Sequence, residues 1–180
     1  MNTTSYEIEG RTVRVPVRVR DGDSWSAQFL VPASAAQAVV DPAGLHVLRL
    51  LPRRAALMVA FARYRDSDLG PYEKLGITLL VRRHDTSAGQ ASRRGRGQIG
   101  IYMHRLAQSQ PLAVESSRAI WGYPSFLADV QATASNRRVV CSVVREGRQV
   151  LRIAVRQGGL LKLTDPNLPN YSLRDGILCV

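Results

Sequence analysis

Residues 12–20 read T-V-R-V-P-V-R-V-R. Val13, Val15, Val17 and Val19 alternate with Arg14, Pro16, Arg18 and Arg20. Successive side chains of an extended chain point to opposite faces, so this period of two predicts a half-buried strand. Pro16 lacks an N–H and argues for an edge position. Asp21-Gly22-Asp23-Ser24 then reads as a turn and residues 26–31 as a second strand.

The same grammar repeats along the chain. Residues 45–51, 55–64, 75–82, 98–106, 112–114, 129–134, 138–144 and 150–155 are strand-like runs. Gly158-Gly159 marks a turn, Pro166 and Pro169 bracket a loop, and residues 171–180 open as a hairpin. The exception is Ala33-Ser34-Ala35-Ala36-Gln37-Ala38-Val39-Val40. It is alanine-rich, follows Pro32 and stops at Asp41-Pro42, which predicts one short helix. Residues 83–97 have no periodicity and are rich in Arg, Gly and Ser, which predicts a flexible loop. Many short strands with few helices indicate a mainly antiparallel β fold in one domain over residues 1–180.

The chain has 180 residues, 45% of them hydrophobic and 22% charged. That excludes a disordered tail, a collagen-like fibre and a disulfide-dense miniprotein. No apolar run is long enough for a membrane helix, and the first ten residues are polar and acidic, unlike a secretory signal. Cys141 and Cys179 give no disulfide framework and no metal-ligand spacing. A reduced, cytoplasmic protein without membrane contact is the expectation. The apolar ending Ile177-Leu178-Cys179-Val180 is unusual for a chain terminus, and suggests a fragment or an end covered by a partner subunit.

Lys and Arg total 25 against 14 Asp and Glu, a formal net charge of +11. Only Lys74 and Lys162 among the basic residues are lysines. Guanidinium stays protonated and is no amine nucleophile, so imine chemistry has two side-chain candidates. Arg93-Arg94-Gly95-Arg96-Gly97 resembles a tract that binds single-stranded nucleic acid. It is short and lacks interleaved aromatics, so a solvated loop is the better reading and nucleic acid is not the expected partner. His46, His84 and His104 have no metal-binding spacing, and no phosphate loop, nucleophile elbow or dinucleotide fingerprint is present. Nothing calls for a cofactor.

Two further segments go beyond strand patterning: Leu69-Gly70-Pro71-Tyr72-Glu73-Lys74-Leu75-Gly76, and Ser117-Arg118-Ala119-Ile120-Trp121-Gly122-Tyr123-Pro124-Ser125-Phe126-Leu127-Ala128. In this order and separation they resemble the acetoacetate decarboxylase family, over most of residues 7–180. The helix ending in Val39-Val40-Asp41-Pro42 sits where that family has one. The resemblance implies a cone- or barrel-like antiparallel sheet around an apolar pocket, often in oligomers, in proteins that continue past this chain's end.

It also implies a mechanism. In the decarboxylases a lysine directly after the Tyr-Pro element forms a Schiff base with a β-keto acid, and a second lysine follows it. Amine chemistry near neutral pH is favoured by a neighbouring cation, which eases loss of the proton. Here those two positions are Ser125 and Phe126. The family's Arg-Glu pair is Arg118-Ala119, its pocket carboxylate falls on Lys74 with Glu73 one residue away, and its N-terminal arginine falls near Gly22, close to Arg18 and Arg20. Schiff-base decarboxylation at the family position is therefore not expected.

The leading expectation is a pocket for a small keto acid or related carboxylate. Arg118, Arg18 or Arg20 would grip the carboxylate, Tyr72, Trp121 and Tyr123 would wall the pocket with Glu73 as a further ligand-binding residue, and Lys74 would act as a relocated amine or a rim cation. Strand alternation puts Glu73 and Lys74 on opposite faces. If catalytic, the protein would be a lyase; the alternatives are a non-enzymatic ligand-binding or structural member and an arginine-rich nucleic-acid-binding β-domain.

Overall fold

The computed structural model describes residues 3–83, 98–135, 137–156, 158 and 168–180. The segment 84–97, with its Arg-Gly tract and His84, lies outside them, as do Lys162, Gly159 and Pro166. The protein is mainly β. β1 (Thr4–Ile8) and β2 (Arg11–Val15) form a hairpin; β3 (Val19–Pro32), β6 (Arg54–Ser67), β7 (Tyr72–Arg83) and β8 (Gln98–Gln108) form the long antiparallel body of a large sheet. Short strands β4 (His46–Val47), β5 (Arg49–Leu51) and β9 (Ser125–Leu127) pair at its margins. The C-terminal hairpin, β13 (Asn170–Arg174) and β14 (Ile177–Cys179), joins it alongside β8. A separate three-stranded sheet contains β10 (Asp129–Ser135), β11 (Arg138–Arg145) and β12 (Arg148–Arg156). Among the described residues none of the three sheets closes on itself.

The predicted first strand is two strands. Pro16 cannot donate to a ladder, and residues 16–18 carry the chain from the β1–β2 hairpin to β3. The predicted turn at Asp21-Gly22-Asp23-Ser24 is instead part of β3, with register irregularities against β6 at Val19, Asp21 and Gly22. The two aspartates are held there by Arg65 on β6, whose Nε reaches Asp21 Oδ2 and whose Nη1 reaches Asp23 Oδ2, each at 2.6 Å. A Cβ at Gly22 would stand 2.6 Å from the Arg63 carbonyl oxygen, so this close approach needs glycine.

Helix α1 (Ala33–Val40) has the predicted bounds. Its Ala33, Ala36 and Val40 pack with Leu45, Val81, Tyr102 and Tyr171 on one end of the large sheet. Farther along the same face the three-stranded sheet packs through Phe61, Leu75 and Ala107 against Val130, Val139, Cys141 and Val143. A third cluster joins Ile8 and Val13 of the hairpin to Leu69, Tyr72, Leu112 and Ala113.

The predicted strand at 112–114 is the start of a second helix, α2 (Pro111–Trp121). Pro111 fits a first helical turn, whose N–H groups have no intrahelical partner. Leu112, Ala113, Ser116 and Ser117 are buried, a helical stripe that uses two serines where sequence patterning looks for apolar residues. Gly122 closes the helix at φ +63°, with its N–H bonded to the Arg118 carbonyl. No helix among the described residues is long and apolar enough to cross a membrane.

Candidate functional site

The large sheet, the segment after the hairpin and α2 enclose an open cavity of about 560 Å³. Period-two alternation on β7 builds one wall, because Tyr72, Lys74, Gly76 and Thr78 all face inward. Glu73 and Leu75 face the other way. Glu73 Oε1 accepts from Arg63 Nε at 2.6 Å, and Arg63 also reaches the Ala132 carbonyl, so Glu73 belongs to the packing of the second sheet and does not line the cavity.

β8 adds the next wall by a different rule. Its register against β7 shifts between Ile77 and Thr78. That extra residue reverses the alternation, so Ile101 and Met103 before it and Leu106 and Gln108 after it all line the cavity. Val15, Pro16, Val17 and Val19 cover one side, and Ser117, Trp121 and Tyr123 another. The Trp121 and Tyr123 rings stack with centroids 6.1 Å apart, and Tyr64 meets Tyr72 edge-on at 5.1 Å. Burial, then Tyr64, pushes the Tyr72 phenol far above its ordinary range, and burial raises Tyr123 as well. Both stay protonated near neutral pH.

The Lys74 ammonium lies 5.0 Å from the centre of the Tyr64 ring, a cation–π distance. Among the described residues no carboxylate lies within ion-pair reach of it. Lys74 stands directly opposite Gln108 in the β7–β8 ladder.

Gln108 is the residue that the sequence reading missed. It is 1% exposed, and its amide nitrogen reaches the Ser125 hydroxyl at 2.7 Å, the Ser117 hydroxyl at 2.8 Å and the Ala113 carbonyl at 3.1 Å. A polar residue ending an apolar strand was the available signal, but its position opposite Lys74 depends on the bulge. Tyr64, the lysine's ring partner, was likewise read only as the end of a strand.

Ser125 sits behind this amide, 4% exposed, and is not part of the cavity lining. Arg118 is not in the lining either. Its Nε donates to the Ser125 carbonyl at 2.8 Å and its Nη1 to Glu115 at 2.7 Å, so it braces the strand that follows α2. Arg20 is engaged by Asp66 and Asp68 at the sheet margin. Arg18 lines a separate polar cleft of about 340 Å³ with Arg14, Arg20 and Asp68, divided from the cavity by the Pro16 segment. Of the predicted site residues the fold thus brings together Lys74, Tyr72, Trp121 and Tyr123, and leaves Glu73, Arg118 and Ser125 outside the cavity.

These features define a mainly β protein built around an aromatic-walled cavity that holds an amine. Residues 3–174 match the family model described as Acetoacetate decarboxylase (ADC), and the chain belongs to that family. Its fold is similar to that of an acetoacetate decarboxylase from Legionella pneumophila, with a TM-score of 0.68 at 16% identity over 88% of this chain and 59% of that one. A second acetoacetate decarboxylase structure gives 0.66 at 19% identity, over 90% and 62%. The enduracididine biosynthesis enzyme MppR, in complex with the condensation product of pyruvate and imidazole 4-carboxaldehyde, gives 0.59 at 15% identity, over 85% and 61%. The chain therefore spans about three fifths of the length of these solved relatives. A comparison with curated protein sequences finds no match.

Proposed function

We propose that the cavity binds a small carboxylate, a keto acid or a close relative, with Lys74 as the cation that receives it, and that decarboxylation through an imine at position 125 does not take place. The observation that carries this reading is the Lys74 ammonium, which faces an apolar and aromatic cavity with no carboxylate partner among the described residues. Such a cation is complementary to an anion, and the attraction strengthens where water is displaced. Tyr72 and Tyr123 add protonated phenols to the same walls. MppR, with its pyruvate-derived ligand, lends support for a keto-acid class. Ser125 has no amine, and its hydroxyl is turned to Gln108.

A second reading rests on Lys74 being the only side-chain amine among the described residues. There the amine adds to the ligand's ketone carbon, water leaves, and a relocated imine forms. Calorimetry with pyruvate and acetoacetate on the unmodified protein and on Lys74→Met tests the first reading. Binding that weakens at least tenfold in the variant supports it, and unchanged binding overturns it. Borohydride reduction in the presence of either acid, followed by peptide mass mapping, tests the second. An adduct on Lys74 establishes the imine, whereas no adduct with weakened Lys74→Met binding leaves the binding role.

A further inference from the structure

We infer that Gln108 sets the ligand specificity of this cavity: its carbonyl oxygen receives a hydrogen bond from a donor on the carbon next to the ligand's carboxylate. A 2-hydroxy acid is then preferred over an isostere without the hydroxyl hydrogen. This rests on the reading of Lys74 as the carboxylate's cation.

The orientation of the amide is fixed by its surroundings. The Ala113 carbonyl oxygen can only accept, so the atom 3.1 Å from it is the amide nitrogen. The Ser117 and Ser125 hydroxyl oxygens, at 2.8 and 2.7 Å, lie around that same nitrogen. These three acceptors share the two N–H groups of that nitrogen, on a side chain that is 1% exposed. Among the described residues no donor is bonded to the acceptor end, and Gln108 lines the cavity. Gln108 lines an open cavity that water can enter, and a ligand group that donates to the amide oxygen there takes the place of that water.

The placement suits a particular ligand. Lys74 and Gln108 are direct partners across antiparallel strands, which sets their Cβ atoms roughly 5 Å apart on one face. A molecule with a carboxylate and a hydroxyl on adjacent carbons offers both groups over a similarly short span. Ser117 Oγ accepts from Gln108, so its own O–H remains available for the second carboxylate oxygen. A keto acid lacks this donor, so it is held through its carboxylate alone and is expected to bind less tightly than the corresponding 2-hydroxy acid.

The test is calorimetry on the unmodified protein with lactate and 2-fluoropropionate, which differ in the donor and little in shape. Lactate is expected to bind about tenfold more tightly, the usual size of one buried hydrogen bond. In Gln108→Met the ratio is expected to fall to about one. Because that variant loses three anchoring contacts, the ratio on the unmodified protein decides alone if the variant does not fold. Equal affinities that both drop in Lys74→Met overturn the role of Gln108 and leave that of Lys74. Absence of binding by either acid, or binding that is indifferent to Lys74→Met, overturns the reading of Lys74 and this inference with it.

Discussion

The amide nitrogen of Gln108 stands 2.7 Å from the hydroxyl oxygen of Ser125, and the glutamine, not the serine, faces the cavity. The residue after Tyr123-Pro124 is therefore part of the wall's internal bracing. A chemistry that needs an amine at that point has neither the atom nor the access.

Acetoacetate is accordingly expected to release no CO2 above the buffer rate in the presence of the purified protein. Manometric or coupled CO2 detection checks this. Turnover that disappears in Ser125→Ala would show that the serine takes part after all.

Ser125→Ala has a structural consequence instead. It removes one of three acceptors that share the two N–H groups of a buried amide, and is expected to cost about 1 kcal/mol of stability. Carboxylate affinity is expected to stay within about twofold, because Lys74 and the aromatic walls are untouched. Urea unfolding and calorimetry on the same preparation separate the two effects. A large loss of affinity at unchanged stability would put Ser125 in the site.

Acid sensitivity should originate at the sheet margin. Hydrogen bonds from Arg65 hold Asp21 and Asp23 below the usual carboxylate range, and one from Arg20 does the same for Asp66. Asp68 is lowered first by the Arg18 backbone N–H and then by Arg20. A depressed folded-state pKa contributes stability above the unfolded value, near 4, that is lost as pH falls through the folded value. The melting temperature is thus expected to drop below about pH 4. These pairs are roughly half exposed, so the effect is modest and shrinks in salt. Arg65→Gln is expected to flatten the acid limb; an identical profile in that variant would locate the sensitivity elsewhere.

Gly122→Ala combines two penalties. The residue has φ +63°, and an added Cβ would come within 2.7 Å of Cys179 Sγ. The substitution is expected to destabilise the protein by about 1–3 kcal/mol. Adding Cys179→Ala is expected to recover only part of that loss, since the backbone strain persists. Full recovery in thermal melts would mean that the contact alone mattered.

The sequence made much of this arrangement visible, and the exceptions have physical causes. Helix α1 was readable because its alanines lie between Pro32 and Asp41-Pro42. The split of Glu73 from Lys74 followed from a period of two. Helix α2 was misread because its buried stripe contains Ser116 and Ser117, and Ser117 is satisfied by Gln108, nine residues earlier. Asp21 and Asp23 passed for a turn because the arginine that holds them is more than forty residues away. Arg118 seemed a ligand-binding residue because its type suits carboxylates. Its local partners, Glu115 and the Ser125 carbonyl, become apparent only once the helix is in place. Gln108 needed a bulge in β8, which composition does not reveal.

Because almost every positive charge in this chain is a guanidinium, the cavity has a spectroscopic address. Feeding isotope-labelled lysine to the expression host would mark two side chains in the entire molecule, Lys74 and Lys162. The signal that moves on addition of an acid, and is missing from Lys74→Met, would report occupancy of the cavity directly. An ordinary, lysine-rich protein of this size would bury that signal among a dozen others.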